Sequence, residues 1–240
     1  MEELANRLIA WIKEQVAKAK RKGVVLGLSG GLDSSVVAVL CKIAFPDNML
    51  ALIMPCHSSE TDLKHAQAVA EKFNIPTKII PLDSVFDALI DILPNGEDHS
   101  ATKRLAEANL IARLRMVTLY YFANRLGYLV VGTGNRSEIS VGYFTKYGDG
   151  GVDIAPLGRL VKGQVRELAH HLGIPDEIIQ KPPSAGLWPG QTDEGEMGIT
   201  YEELDRYLLT GEGSEELKKR IEGLSQASAH KRQVPPIPPF

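Results

Sequence analysis

Four short apolar runs, Val24–Leu28, Ala51–Met54, Thr77–Ile80 and Tyr128–Val131, alternate with longer stretches of helical period. In the first such stretch, Glu2 to Lys20, residues Leu4, Leu8, Trp11, Ile12 and Val16 share one face and charged residues hold the rest. Asp33–Phe45, Ser59–Phe73 and Thr102–Leu126 show the same spacing. Gly23, Pro46 and Gly127 punctuate them, and Ser58 or Ser59 is placed to cap the third helix, with acids in its first turn. Strands separated by helices cannot form tight hairpins. They pair in parallel, and the crossing helices cover both faces. The expected fold is α/β, a doubly wound parallel sheet with helices on both faces, in a single domain over residues 1–240.

A chain of 240 residues with 44% hydrophobic content can bury a substantial core. A net charge of -3 does not suit a general nucleic-acid binder. Cys41 and Cys56 form no C-x-x-C pair, so neither a zinc site nor a dithiol redox site is indicated, and two lone thiols fit a reducing compartment. No apolar run approaches the roughly 18–20 residues of a membrane span, and no basic-then-apolar leader opens the chain. A cytoplasmic location is expected, with no membrane or nucleic-acid partner.

After Val131 the texture changes. Residues 132–163 are glycine-rich, residues 181–198 carry several prolines and glycines, and both are long for connections within a domain. The segments 142–153 and 181–198 are candidate lids. Tyr201–Leu209 and Glu215–Ala229 read as helices, and the proline-rich tail 234–240 as an extended or frayed end.

The segment Ser29-Gly30-Gly31-Leu32-Asp33-Ser34-Ser35 lies between the first strand and its helix. Gly30 and Gly31 can adopt backbone angles that let N–H groups converge, and the helix start adds unpaired N–H groups and the positive dipole end. The product is an anion site suited to phosphate. Ser29, Ser34 and Ser35 can add hydroxyl donors. Asp33 is a poor phosphate neighbour unless a magnesium ion lies between them. A plain turn with a capped helix is the simpler alternative for such a loop. Neither G-x-x-x-x-G-K-[ST] nor G-x-G-x-x-G occurs here.

The S-G-G-x-D-S loop resembles that of the N-type ATP pyrophosphatases, whose fold is called adenine nucleotide α-hydrolase-like. These enzymes adenylate an acceptor oxygen and release pyrophosphate. Further stretches are similar to the ammonia-dependent NAD synthetases: Gly132-Thr133-Gly134-Asn135-Arg136-Ser137-Glu138, Tyr143 to Asp153, Pro183 to Trp188 with Gln191-Thr192-Asp193-Glu194, Asn109 to Met116, and Ala229-His230-Lys231. The resemblance covers nearly the whole chain. It implies that ATP adenylates the carboxylate of deamido-NAD and that ammonia then displaces AMP to give NAD. It also implies a homodimer, for which Leu105, Leu110, Leu114, Val117 and Tyr121 on the helix 102–126 provide apolar surface.

By the same resemblance, Gly27, Leu28, Ser29, Gly30, Gly31, Leu32, Asp33, Ser34, Thr133, Lys162 and Ser184 bind ATP. Asp33 and Glu138 share Mg2+ and, with Lys162, act in catalysis. Arg113, Lys146, Asp153, His230 and Lys231 bind deamido-NAD. Arg115 is a rival for the role of Arg113, because the two cannot share one helix face. Glu138 also reads as an acid at a helix N-terminus, and His230-Lys231-Arg232 as a solvated basic run. Asp33 and Glu138 follow the first and fourth strands, whose ends face one crevice in an open parallel sheet. Cys56 beside His57 is not expected to be a catalytic couple, Cys41 reads as core, and no stretch reads as the cysteine-nucleophile domain of glutamine-using members, so free ammonia is the expected donor. Two rivals remain: another N-type pyrophosphatase that amidates or thiolates a nucleotide or tRNA, and an ATP-binding module without turnover.

Overall fold

A computed structural model describes residues 1–93, 101–188 and 190–240. The sheet consists of β1 (Gly23–Gly27), β2 (Met49–Ile53), β3 (Thr77–Ile79) and β4 (Tyr128–Val130). All pairs are parallel, and the order is β3-β2-β1-β4. Helix α1 (Glu2–Lys18) precedes β1, α2 (Leu32–Ala44) follows it, and α3 (Glu60–Lys72) joins β2 to β3. Helices α4 (Asp83–Ile92) and α5 (Ala101–Leu126) lie between β3 and β4. Beyond β4 come α6 (Arg136–Val141), α7 (Lys162–Leu172), α8 (Asp176–Ile179), α9 (Asp193–Met197), α10 (Tyr201–Thr210), α11 (Glu215–Ala227) and a 3-10 turn at Ala229–Lys231. Among the described residues no helix is long and apolar enough to cross a membrane.

Alternation along the strands divides the core. Val24, Leu26, Ala51, Ile53 and Leu129 face one side, against Ile12 and Val16 of α1, Val36 and Leu40 of α2, and Val165 and Leu168 of α7. Val25, Leu50, Leu52 and Val130 face the other, against Ile111 and Ala123 of α5. Each fully buried side chain of this kind contributes roughly 1.5–3 kcal/mol, so neither face can be left open. A third cluster of Val141, Met197, Ile199, Leu204 and Ile221 gathers α6, α9, α10 and α11 beyond the sheet.

The expected doubly wound sheet is therefore present, with some boundaries moved. β1 begins at Gly23 and β2 at Met49, before the runs of branched residues, because neighbours supply their hydrogen bonds: Val24 N–H donates to the Asn48 carbonyl and Ala51 N–H to that of Pro76. Helix α4 was not anticipated. It has no buried residue and leaves Val85 and Ile92 exposed. The tail from Gln233 carries no regular structure and is exposed. On α1, Ile12 is fully buried whereas Trp11 is 36% exposed, at the edge of the apolar stripe. In urea unfolding, Ile12→Ala is expected to cost roughly 2–4 kcal/mol and Trp11→Ala less than about 1 kcal/mol.

Candidate active site

The order β3-β2-β1-β4 places successive crossovers on opposite sides of β1. Chain direction across the sheet therefore reverses between β1 and β4, and a crevice opens at their carboxyl ends. A cleft of about 430 Å³ occupies this position. The loop after β1 lines it with Gly27, Leu28, Ser29, Gly31, Leu32, Asp33 and Ser34, and Thr133, Glu138, Lys162, Ser184 and Lys231 also reach it.

The loop is held by its own hydroxyls. Ser34 Oγ accepts from Ser29 N–H at 3.2 Å and donates to the Gly31 carbonyl at 3.1 Å. Ser29 Oγ accepts from Gly31 N–H at 3.2 Å. Ser35 is fully buried and donates to the Gly31 carbonyl at 2.7 Å, so it braces the loop and is no ligand donor. Gly30 has φ +82°, and a Cβ there would lie 2.2 Å from the Asp62 carbonyl oxygen. Glycine is thus required where the loop crosses α3, and Gly30 does not line the cleft. Gly31 differs from expectation: its φ of -86° is open to any residue, and its place is the N-cap of α2.

Asp33, Glu138 and Lys162 meet although they are far apart in the chain. Lys162 Nζ lies 2.5 Å from Asp33 Oδ2 and 3.2 Å from Glu138 Oε1, and its side chain is only 4% exposed. Asn135 links the strand ends, donating from Nδ2 to Asp33 Oδ1 at 2.9 Å. Asn135 and Glu138 also form a capping box at the start of α6. Glu138 accepts from Asn135 N–H with Oε2 and turns Oε1 to Lys162, so it is both a helix-capping acid and a cleft carboxylate.

Lys162 opens α7, at the end where the helix dipole disfavours a cation. Asp205 of α10 compensates, accepting from Gly163 N–H at 2.7 Å and from Ser137 Oγ at 2.5 Å. Tyr201 packs on Lys162, its ring centroid 4.9 Å from Lys162 Nζ and its hydroxyl 2.9 Å from Asp193 Oδ2.

The charges are strongly coupled. Burial pushes the Glu138 carboxyl up to about 7, against the pull of Lys162 and with Asp33 adding to the rise. Burial opposes the charge on Lys162, but Asp33 and Glu138 outweigh it and hold the ammonium above its ordinary range. Burial also raises Asp193. Both thiols lie outside this chemistry: burial pushes Cys41 to about 12 and Cys56 to about 11, and His57 pairs with Asp87 at 2.8 Å.

Other expected site residues lie elsewhere. Arg113, Lys146, Asp153 and His230 do not line this cleft. Arg113 donates to the Lys146 carbonyl at 3.3 Å, and Lys146 Nζ to the His230 carbonyl at 2.7 Å. Asp153 accepts from Val130 N–H and from the Tyr120 hydroxyl. Lys231 reaches the cleft wall, donating to the Gly142 and Phe144 carbonyls at 2.9 and 2.8 Å. Arg115 does line the cleft, and its guanidinium donates to the Met54 carbonyl and to Ser58 Oγ, so it braces the loop after β2. The segment near 181–198 forms one wall, where Lys181 pairs with Asp62 and Leu187 N–H donates to Gln191 Oε1 at 2.8 Å; Pro189 lies outside the described residues. Asn135, Asp193 and Tyr201 were not singled out as site residues, although the first two lie in the motifs around Glu138 and after Trp188. Only the packing of α9 and α10 shows that they meet.

The NAD synthase family model matches residues 4–235. The chain belongs to the NAD synthase family. It is 51% identical to the NH(3)-dependent NAD(+) synthetase of Carboxydothermus hydrogenoformans over 237 residues, which span 99% of this chain and 97% of the relative. It is 45% identical to the protein of the same description from Methanocaldococcus jannaschii, spanning 99% and 97%. Among solved structures, NMN synthetase from Francisella tularensis superposes with a TM-score of 0.93 at 37% identity over 100% of this chain and 98% of that one. The NH3-dependent NAD synthetase from Campylobacter jejuni does so at 0.80 and 33%, over 98% and 97%.

The raised Glu138 carboxyl has a consequence for the ligand-free protein. Its folded-state value exceeds its ordinary 4.5, so the folded state holds the proton more tightly than the unfolded chain does. The associated stability is full below about 4.5 and is lost as pH rises through the folded value. Thermal unfolding without nucleotide or metal is expected to show melting temperature falling across this window, with a shallower slope in Glu138→Gln.

Proposed function

We propose that this chain is an enzyme that amidates deamido-NAD with ammonia, at the expense of ATP, giving NAD, AMP and pyrophosphate, and that Asp33, Glu138 and Lys162 carry the adenylation step. The convergence of both carboxylates on one cation, the Lys162 ammonium, supports this reading most directly. A carboxylate is a poor acyl donor because its leaving group would be oxide. Adenylation replaces that group with AMP, and the protein's task is to bring two anions together and neutralise them.

The residues suit that task. The N-terminus of α2 and the backbone around Gly31 and Leu32 offer N–H groups to the departing pyrophosphate. Thr133 and Ser184 also line the cleft, where their hydroxyls would meet the nucleotide. The donor set suits Mg2+: two recessed carboxylates leave room for phosphate oxygens and waters, as magnesium prefers, and a lysine already shows that a cation is stable there. When bound, the metal would supply charge neutralisation for the triphosphate. Lys162, displaced from the carboxylates, would turn its point charge to the phosphates. Lys231, Arg113, Lys146, His230 and Asp153 fall to the dinucleotide. Several of them lie outside the cleft of one chain, which is consistent with a dinucleotide reaching beyond it.

Two further features belong to this reading. Leu105, Val117 and Tyr121 are more than half exposed along α5, and a two-fold dimer would cover them. Light scattering is expected to give about twice the 26.2 kDa chain mass; a monomer would refute the dimer. The reading also places the enzyme in the cytoplasm, where both nucleotides are available.

The similarity to NMN synthetase favours one second reading, in which the acceptor is the mononucleotide. Pyrophosphate release is to be followed with each acceptor, using ammonium or glutamine as nitrogen donor. Deamido-NAD with ammonium should be preferred. Higher kcat/KM with the mononucleotide would support the second reading, and equal activity with glutamine would overturn ammonia dependence. Asp33→Asn is expected to lower kcat/KM by roughly 100-fold or more, because a metal ligand is lost.

A further inference from the structure

The charges around Lys162 do not balance. Asp33 and Glu138 both contact its ammonium, and the Asp193 carboxylate lies near enough to add to their pull. If Asp33 and Glu138 take the metal, Asp193 is left over. Asp193 is the first residue of α9, is 4% exposed and lines the cleft. Its Oδ2 accepts from the Tyr201 hydroxyl at 2.9 Å. Its Oδ1 is buried and has no hydrogen-bond partner among the described residues. The Tyr143 hydroxyl lies nearby, but its one proton goes to Glu196 Oε2 at 2.5 Å. A buried carboxylate oxygen without a donor is costly, and sites that retain one commonly serve a ligand.

The surroundings narrow what that ligand is. The Tyr201 ring already lies against an ammonium group, that of Lys162. The Tyr201 hydroxyl also lies 3.3 Å from Glu138 Oε1, so it stands between Asp193 and Glu138. A second divalent ion would need more oxygen ligands, and among the described residues no group of three or more His, Cys, Asp or Glu is arranged to hold a metal. A small monovalent cation with N–H donors suits a single unpartnered carboxylate oxygen. The nitrogen donor of this reaction is such a cation, because near neutral pH dissolved ammonia is mostly ammonium.

We infer that Asp193 is the ammonium-recognition residue: its Oδ1, without a partner among the described residues, accepts an N–H of the ammonium ion and takes that proton, and the ammonia so released attacks the acyl carbon as the bond to AMP breaks. Tyr201 positions Asp193 through its hydroxyl. This inference rests on ammonia being the donor and on Asp33 and Glu138 serving the metal. It assigns Asp193 to the second half-reaction only.

The two half-reactions separate the possibilities. Exchange of labelled pyrophosphate into ATP, dependent on deamido-NAD and run without ammonium, reports adenylation alone. Hydroxylamine, neutral near pH 7, intercepts the acyl-adenylate without needing a cation site. Asp193→Asn is expected to retain exchange, lowered far less than amidation, and to raise the KM for ammonium chloride by roughly tenfold or more, with a much smaller change for hydroxylamine. Unchanged ammonium KM, or loss of exchange together with amidation, would overturn the assignment. Absence of exchange in the wild type would instead refute adenylation itself. A measurement on the unaltered enzyme stands beside the variant. Ammonium chloride should raise its melting temperature above that in tetramethylammonium chloride of equal ionic strength, and equal melting temperatures would also count against the site.

Discussion

Asp33 and Glu138 can lie close together in a recess because Lys162 lies between them. Two unit charges about 4 Å apart repel by roughly 4 kcal/mol at an effective dielectric near 20, and partial burial adds a desolvation cost to each. The lysine offsets both. The same burial that makes the ion pair costly alone makes it useful, because a low dielectric strengthens the field a nucleotide meets on entering. Much of the surrounding structure maintains this geometry: Asn135 ties Asp33 to α6, the capping box aims Glu138, and Asp205 lets a lysine begin α7.

The sheet order is what allows three such distant residues to meet. Asp33 belongs to the turn after β1 and Glu138 to the first turn of α6, after β4, and these strands are direct neighbours. Had the fourth strand added beyond β3, the two carboxylates would lie at opposite edges of the sheet. Lys162 then approaches through α7, whose apolar side packs on α2 through Val165 and Leu168. The core and the site are thus one construction. The residues that bury α7 also hold its first side chain over the crevice.

Much of this was legible in the chain. Short apolar runs separated by amphipathic helices imply a parallel sheet covered on both sides, since backbone pairing and burial leave few other solutions. The S-G-G-L-D-S-S loop implied an anion site, and the motifs around Glu138 and Tyr143 implied the family. Several details were not legible. Sequence spacing gave equal licence to Gly30 and Gly31, yet only Gly30 needs its positive φ, because α3 crosses there. Sequence did not distinguish Arg113 from Arg115; in the fold Arg115 lines the cleft wall and Arg113 donates to the Lys146 carbonyl. Helix α4 went unread although Phe86 packs partly buried against the core; it is short, with no residue fully buried.

Local physics therefore determined the elements, the glycine-serine loop after β1 and the list of charged candidates, since each depends on neighbours within a few residues. Tertiary structure decided which candidates share a site and in what state. That Glu138 uses one oxygen for its helix and the other for Lys162 follows from the approach of α7. That Asp193 pairs one oxygen with Tyr201 and leaves the other without a partner among the described residues follows from the packing of α9 and α10. Pairing, burial and the resulting shifts in proton affinity are properties of residues brought together from distant parts of the chain, and no local window of sequence contains them.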